Sequence, residues 1–367
     1  MRVLHLIDEA FAARESDLLD RLEIGLVDEG VRLFRAGPAR ADEDDAATPN
    51  LYRRSIGFPP ATPWTTRRRR ARWLHERLES IESVRDGAVV DVVHAFGGRV
   101  WDLAIEFGRR IGRPVALEVW RARLAHRASS LGSARSGSEL LLSAPDETIE
   151  RELLAAGLTA PVRMAPWGVH APARCPEPRP SRGARSVLIA GGGREASTMR
   201  DCVRALASLD AEDVMVFIDA SAFHRAQLWP VVEGAGMLQR VTLVDQLEAL
   251  RDLALQADVI VQPEALGEQR SILLDAMAHG VRVVAQRDER VSWLIDGRTA
   301  WLAGMTDVDG WVSTLRYALH DDEHSRRVVE SAWSYVREHR LASRHVAAVL
   351  DLYEWAAEAP TLPIRDG

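Results

Sequence analysis

The strongest constraint on the fold is a regular alternation of short apolar runs with helical patterns, and this alternation begins twice in the chain. Residues 3–7 form a short apolar run typical of a buried parallel strand. A helical pattern follows, in which Leu19, Leu22 and Leu26 share one face. Because such alternation builds parallel sheets covered by helices, we predict an α/β protein. Further elements of this first series are predicted at residues 31–34, 89–94, 100–110, 114–119, 139–143 and 145–157.

A proline-rich stretch separates the two series. Residues 175–185 contain three prolines, one glycine and no apolar periodicity, which is typical of a linker. The alternation resumes at residue 186 and continues to residue 285. A chain of 367 residues also matches about two ordinary domains. We therefore predict a first domain at residues 1–174, a linker at 175–185 and a second domain at 186–340.

The end of the chain, residues 341–367, is predicted to contain a long helix. Val346, Val349 and Tyr353 recur at helical spacing and would form one apolar face. We expect this helix to pack back on the first domain.

Composition excludes several classes of function. The two cysteines, Cys175 and Cys202, are too few for a disulfide framework and lack zinc-site spacing. All 47 basic residues are arginine, which excludes Schiff-base and lysine general-base chemistry. The net charge of −7 argues against a nucleic-acid platform. No apolar stretch has the length of a signal peptide or of a membrane span, so we predict a cytoplasmic protein.

A run of three glycines, Gly191, Gly192 and Gly193, directly follows the predicted strand 186–190 and precedes a helix. The backbone N–H groups of such a turn can approach phosphates at the positive end of a helix dipole. Arg194 and Arg200 would add positive charge. The alternative is a tight turn that binds nothing, since glycine-rich turns between strand and helix are common.

A nicotinamide dinucleotide site is a second alternative for this turn. Gly191, Gly193 and Ala196 fit the dinucleotide-binding spacing, and Asp219 ends the next strand where a ribose-binding acid belongs. The motif lies in mid-chain, however, and no acid–base set for hydride transfer accompanies it.

An acidic stretch, residues 262–271, lies between a buried strand and a helix. The carboxylates of Glu264, Glu268 and Asp275 can accept hydrogen bonds from sugar and ribose hydroxyls, while free N–H groups near Ser271 can face phosphates. Arg270 could supply a cation beside them. The alternative is that the two glutamates are solvated loop charges and that Asp275 is an ordinary acid of a first helical turn.

Two residues of the first domain could face the same ligand. His94 ends one predicted strand, and Trp120 follows another. Because the carboxyl ends of parallel strands meet at one edge of a sheet, either side chain could contact an acceptor or a donor sugar. A structural role is the alternative for both.

A basic cluster runs from Arg67 to Arg70 in a predicted helix. Such a cluster could contact anionic lipid headgroups at a membrane surface. The alternative is a solvated helix face, since Glu76 and Glu79 compensate the charge.

Four segments in order along the chain resemble glycosyltransferase family 4. These segments are residues 91–97 (DVVHAFG, similar to DVVHaHg), 166–170 (PWGVH, similar to PNGVD), 257–263 (ADVIVQP, similar to ADvfvlPS) and 274–285 (LDAMAHGVRVVA, similar to lEAMAcGvPVVA). The last segment is the most specific, and the order and spacing of the four segments extend the resemblance along nearly the whole length of the chain.

The resemblance implies the GT-B architecture, in which two Rossmann-like domains face each other across a cleft and a C-terminal helix crosses back to the first domain. The first domain would bind an acceptor, and the second would bind a nucleoside-diphosphate sugar. The implied reaction is a retaining sugar transfer to a glycan, lipid-linked or small-molecule acceptor. No metal and no cofactor are expected.

Several family positions are altered in this chain. Asp275 stands where the family has the second glutamate of a Glu-x7-Glu motif, which binds the donor ribose. The first glutamate, which contacts the transferred sugar, falls on Gly267, with Glu268 one place later. The two cations that grip the diphosphate fall on Gly192 and Ser197.

The first domain departs from the family too. Asp8 begins the segment that replaces the amino-terminal glycine loop, and Trp120 replaces a histidine. The resemblance assigns Asp8 and Trp120 to the acceptor site and makes His94 and Glu268 the candidate catalytic residues. The altered positions leave two hypotheses, a divergent glycosyltransferase and a catalytically silent GT-B binding or scaffold protein.

Overall fold

The computed structural model describes residues 1–38, 54–60, 62, 65–81, 89–134, 140–158, 160–177, 184–209, 214–304, 307–320 and 323–358. The chain divides into two compact units, Met1–Trp167 with Ala342–Gly367, and Gly168–Leu341. The domain limits drawn from the sequence stay predictions. Residues 178–183 of the predicted linker and 359–367 of the predicted last segment lie outside the described residues.

Thirteen strands are described. They are β1 (Arg2–Ile7), β2 (Arg32–Pro38), β3 (Arg54–Phe58), β4 (Val92–Phe96), β5 (Val115–Glu118), β6 (Leu140–Ala144), β7 (Val162–Met164), β8 (Arg185–Ile189), β9 (Val214–Asp219), β10 (Val241–Val244), β11 (Val259–Gln262), β12 (Arg282–Gln286) and β13 (Trp301–Ala303).

Thirteen α-helices connect or cover the described strands, and a 3-10 helix (Gly98–Val100) follows β4. They are α1 (Glu9–Asp28), α2 (Arg67–Ile81), α3 (Trp101–Ile111), α4 (Ala122–Ala134), α5 (Glu147–Ala155), α6 (Ala196–Ser208), α7 (Ala220–Arg225), α8 (Trp229–Gly234), α9 (Leu247–Gln256), α10 (Ser271–Ala278), α11 (Val308–Leu319), α12 (Glu323–His339) and α13 (Ala342–Glu358).

The first unit contains a seven-stranded parallel sheet with the order β3-β2-β1-β4-β5-β6-β7. Its central strands β1 and β4 are parallel neighbours. Strands β2 and β3 extend the sheet on one side of β1, and strands β4 to β7 extend it on the other side. The loops after β1 and β4 therefore leave the sheet on opposite sides, which creates the topological switch point where such sheets bind ligands.

The second unit repeats this plan with six parallel strands in the order β10-β9-β8-β11-β12-β13. Its switch point lies between β8 and β11, which pair in parallel. The core is apolar: Val187, Val216 and Val261 are fully buried, and Trp311 of α11 packs into the same cluster. The predicted fold class, α/β with two parallel sheets, is confirmed.

Sequence periodicity missed the strands β3, β7 and β13. Each lies at or near a sheet edge, and β7 and β13 have only three residues each. A run of three residues is too short to establish a period of two, so only pairing with a neighbouring strand identifies β7 and β13.

The last helix, α13, packs on α1 and β4 of the first unit. Tyr353 is fully buried, and Val346 lies directly against Gly25 of α1. A Cβ atom added at Gly25 would overlap the Val346 side chain. Glycine is therefore required at this crossing so that the two helices can approach each other closely.

We expect Gly25→Ala to lower the free energy of unfolding. Overpacking against the rigid Val346 side chain costs about 1–3 kcal/mol, which exceeds the gain of about 1 kcal/mol from the higher helix propensity of alanine. Urea unfolding measures the difference. The double variant Gly25→Ala/Val346→Ala should lose less stability than the sum of the losses of the two single variants, because the overlap is removed. Strictly additive losses would contradict the proposed contact.

Candidate functional site

Two loops meet at the switch point of the second sheet, because the strands before them are neighbours. We call residues 190–195, which follow β8, the glycine loop, and residues 263–270, which follow β11, the acidic loop. The loops are about 70 residues apart in sequence, yet they are in hydrogen-bonding contact. All the predicted donor-binding residues except Ser271 and Asp275 belong to these two loops.

The glycine loop requires its glycines for steric reasons. A Cβ atom at Gly191 would lie 2.7 Å from the Met199 sulfur and 3.1 Å from Pro263. Gly193 has a φ of +73°, and a Cβ atom there would overlap the Ala222 backbone. The loop is therefore a tight turn that brings backbone N–H groups to the start of α6.

The carboxylate of Glu264 accepts hydrogen bonds from N–H groups of this loop. The backbone N–H groups of Gly192, Arg194 and Glu195 all donate to it, the last at 2.8 Å. Glu264 is only 4% exposed. Successive N–H groups of a turn at a helix start form an anion-binding concavity, and the anion present in this structure is an internal side chain.

Further charged groups link the same two loops. Arg194 of the glycine loop forms an ion pair with Glu268 of the acidic loop. Arg270 donates to the Ala190 carbonyl oxygen at 3.0 Å, and the Ala265 N–H donates to a Glu195 carboxylate oxygen at 3.1 Å. The predicted cations Arg194 and Arg270 therefore already bind protein groups.

Two residues outside the two loops also form hydrogen bonds with the acidic loop. The Gly267 N–H donates to Asp288 at 2.5 Å, and the φ of +61° at Gly267 favours glycine there. The Trp293 indole N–H donates to Gln269 at 2.7 Å. The glycine loop has an outside partner too, since Arg225 of α7 donates to the Gly192 carbonyl oxygen at 2.5 Å. Sequence reasoning missed Arg225, Asp288 and Trp293, because no local motif marks them.

Ser271 and Asp275 lie on α10. Ser271 begins the helix and is 3% exposed. Asp275 is half-buried, and its backbone carbonyl oxygen accepts a hydrogen bond from the His279 ring at 2.8 Å. The predicted roles of both in donor binding stay predictions.

In the first unit, His94 belongs to a buried polar chain. Its Nδ1 lies 2.7 Å from the Tyr353 hydroxyl, which lies 2.9 Å from Nε2 of His5. Nδ1 of His5 lies 3.1 Å from Glu23. Since a carboxylate only accepts, the Nδ1–H group of His5 donates to Glu23, and the Tyr353 hydroxyl bridges the rings of His5 and His94.

The remaining nitrogen of His94, Nε2, lies 3.4 Å from a Glu118 oxygen and makes no hydrogen bond to the described residues. The Trp167 indole N–H donates to the other Glu118 oxygen at 2.7 Å. Burial lowers the pKa of His94, and the nearby Glu118 carboxylate offsets this shift only in part. His94 is fully buried in this structure, and its predicted acceptor contact stays a prediction.

Asp8 lies at the switch point of the first sheet. Its carboxylate caps α1 by accepting from the Phe11 N–H at 2.7 Å, and it accepts from the Arg99 N–H at 3.0 Å. Gly97, with a φ of +94°, leaves room for this carboxylate. Asp8 is 4% exposed. An internal carboxylate therefore binds the loop amides at this switch point as well.

Trp120 is almost fully buried and packs edge-to-face against Phe11, with ring centroids 5.3 Å apart. Its indole nitrogen has no hydrogen-bond partner among the described residues. The acceptor roles of Asp8 and Trp120 stay predictions.

The basic cluster lies on α2 and is partly neutralised. Arg67 and Arg68 are largely exposed and lie 3.6 Å and 3.7 Å from Asp102 and Glu106 of α3. Arg70 covers the Phe58 ring, and partial burial lowers the pKa of its guanidinium group. No helix in the described part of the chain is long and apolar enough to cross a membrane. In the same ranges, no cluster of histidine, cysteine and acidic side chains has the arrangement of a metal site.

No protein-family model matches this chain, and no curated protein sequence matches it either. Its fold, however, is shared with solved enzymes over nearly its full length. Sucrose-phosphate synthase from Thermosynechococcus elongatus superposes with a TM-score of 0.74 and 14% identity, over 97% of this chain and 99% of that chain. HepE from Anabaena, solved in complex with UDP and glucose, superposes with a TM-score of 0.71 and 12% identity, over 97% and 100%.

A third structure, WaaG, is a glycosyltransferase involved in lipopolysaccharide biosynthesis. It superposes with a TM-score of 0.63 and 13% identity, over 95% of this chain and 99% of that chain. The chain has the GT-B fold. At such low identities the similarity establishes the GT-B fold only, and the site must support any function on its own residues.

We expect Tyr353→Phe to lower the free energy of unfolding of the GT-B chain by about 1–3 kcal/mol. The change removes one hydroxyl and leaves ring nitrogens of both His5 and His94 buried without a partner. Chemical unfolding measures the loss. Tyr317→Phe, at a side chain that is 67% exposed, is the control and should change stability little. Equal stability of the two variants would contradict the network.

The lowered pKa of His94 predicts a pH dependence of stability. The unfolded state binds a proton at His94 near its ordinary pKa of 6.5, and the folded state binds it only at lower pH. Stability contributed by neutral His94 is therefore present above pH 6.5 and is lost as the pH falls below it, by at most about 1.4 kcal/mol per pH unit.

Urea unfolding between pH 5 and pH 7 tests this expectation. His94→Asn should show a smaller fall in stability toward pH 5 than the unchanged chain. His170→Asn, at an exposed histidine, should keep the original slope. An unchanged slope in His94→Asn would be inconsistent with a neutral, buried His94.

Proposed function

We propose that this chain is a glycosyltransferase that transfers a sugar from a nucleoside-diphosphate sugar to a glycan, lipid-linked or small-molecule acceptor, with retention of configuration. The observation that carries the proposal is the meeting of the glycine loop and the acidic loop at the switch point of a GT-B second unit. The complexes of HepE with UDP and with UDP-glucose support a nucleotide-sugar donor. The motif order from residue 91 to residue 285 supports family 4.

In this proposal the acidic residues recognise hydroxyl groups. Asp275 binds the donor ribose, and Glu268 contacts the transferred sugar. Their support is chemical: both are carboxylates, and both lie on or beside the loop that follows β11. His94 and Trp120 belong to the acceptor side, together with Asp8.

Leaving-group stabilisation is electrostatic in this proposal. The backbone N–H groups of the glycine loop, which contains Gly191, Gly192 and Gly193, would face the diphosphate at the start of α6. Since the chain has no lysine, arginine must supply the cations, and the two loops themselves contain Arg194 and Arg270. No metal or cofactor takes part. The basic cluster Arg67–Arg70 would allow peripheral contact with an anionic membrane on the cytoplasmic side.

Thermal-shift measurements with UDP, GDP, ADP and their sugars test the proposal. A ligand at about 100 times its Kd stabilises the folded state by about 2.7 kcal/mol, so one nucleotide should raise the melting temperature clearly. Asp275→Ala should abolish this rise. Asp245→Ala, at an exposed aspartate of the same unit, is the control and should keep it.

Transfer or hydrolysis of the selected donor then separates an enzyme from a binding protein. If no nucleotide raises the melting temperature at any concentration, the donor-site assignment is wrong.

A further inference from the structure

The amide cluster of the glycine loop already holds an anion. Both carboxylate oxygens of Glu264 are used: one accepts from the Gly192 N–H, and the other accepts from the N–H groups of Arg194 and Glu195. The side chain is buried, with only 4% of its surface exposed. Glu264 therefore satisfies donors that a helix start would otherwise offer to a ligand.

This cluster has the electrostatics of a phosphate site. The three N–H groups lie at the start of the 13-residue helix α6, where the helix dipole favours negative charge. The guanidinium group of Arg225 is bound to the same turn at the Gly192 carbonyl oxygen. A carboxylate in this place replaces the negative charge of a phosphate group, although it has fewer acceptor oxygens.

A bound phosphate and the Glu264 carboxylate exclude each other. The Glu264 carboxylate already accepts from all three N–H groups, and a Cβ atom at Gly191 would lie only 3.2 Å from one of its oxygens, so the carboxylate packs directly against the turn. Two anions on the same three donors would also repel each other strongly in a buried setting. A phosphate can bind these N–H groups only after the carboxylate has left.

At residue 264 this chain departs from the motif that it resembles. Glu264 directly follows Pro263, at the position where the resembling motif ADvfvlPS has serine. A serine side chain is too short to bridge to the three N–H groups that Glu264 reaches. At the other switch point a carboxylate also binds backbone amides, since Asp8 accepts from the Phe11 N–H of α1, which it caps, and from the Arg99 N–H of the 3-10 helix.

We propose that Glu264 is an internal competitor of the donor: its carboxylate occupies the amide cluster of the glycine loop, and a diphosphate group binds there only by displacing it. The inference rests on the proposed function in taking the ligand to be a nucleoside diphosphate. Competition for the amide cluster itself needs only a diphosphate group. Glu264 thereby sets the affinity of the site for phosphate-bearing ligands and makes the resting site self-inhibited.

Titration calorimetry with inorganic pyrophosphate and with UDP tests the proposal on the full chain. Glu264→Ser should bind pyrophosphate at least about ten times more tightly than the unchanged chain, because three N–H groups become available; a tenfold change corresponds to about 1.4 kcal/mol. Glu264→Gln, which keeps the shape but removes the charge, should show a smaller gain. Glu233→Ser removes an exposed carboxylate of the same unit and should leave the affinity unchanged.

Equal or weaker pyrophosphate binding by Glu264→Ser would overturn the proposal, since the carboxylate would then support the site. Circular dichroism checks that the variants fold. If both Glu264 variants fail to fold while Glu233→Ser folds, the proposal is also overturned, because a ligand could not displace an anion that the fold requires.

The two proposals fail separately. A gain in pyrophosphate affinity without any preference for UDP or dependence on Asp275 would support the internal competitor and contradict the glycosyltransferase. Binding of UDP that depends on Asp275, but does not increase in Glu264→Ser, would support the glycosyltransferase and contradict the internal competitor.

Discussion

The parallel pairing of β8 with β11 is the interaction on which the candidate site depends. It places the end of one strand beside the end of another that lies about 70 residues later, so that the glycine loop and the acidic loop share one edge of the sheet. Because the strand order reverses at this pair, the two loops lie at the switch point of the sheet, where sheets of this type bind ligands. The pairing of β1 with β4 does the same in the first unit.

At both switch points a buried carboxylate satisfies backbone amides that would otherwise lack partners. Asp8 does so after β1, and Glu264 does so after β11. The physical reason is the cost of leaving N–H groups of a tight turn without an acceptor. A carboxylate after a strand can therefore either bind a ligand or accept hydrogen bonds from loop amides. Only its contacts in the folded chain show which of these it does.

The same principle governs the buried chain of the first unit. His5, His94 and Tyr353 join β1 and β4 to the last helix. The predicted place of His94 at a strand end is wrong: the strand continues to Phe96, and His94 in its middle helps to attach α13. Its low pKa follows from burial, which disfavours the charged ring. Buried hydrogen bonds thus connect α13 to β1 and β4, the two strands that define the first switch point.

Several features of the site follow from sequence alone. The glycines after β8, the carboxylates after β11 and the arginines beside them are recognisable because strand ends and helix starts have local signals. The partners Arg225, Asp288 and Trp293 are not, because nothing in a local pattern says which distant loop folds against which. Asp288 could be found only once Gly267 was known to need an acceptor.

The sequence by itself determined the fold class. The alternation of buried strands with amphipathic helices follows from hydrophobic periodicity, which is a local property and can be recognised without tertiary contacts. Only the tertiary structure decided what each polar side chain binds. Glu264 shows the difference: its position after a buried strand is written in the sequence, but its carboxylate lies on the glycine loop because strand order, a long-range property, brings the two loops together.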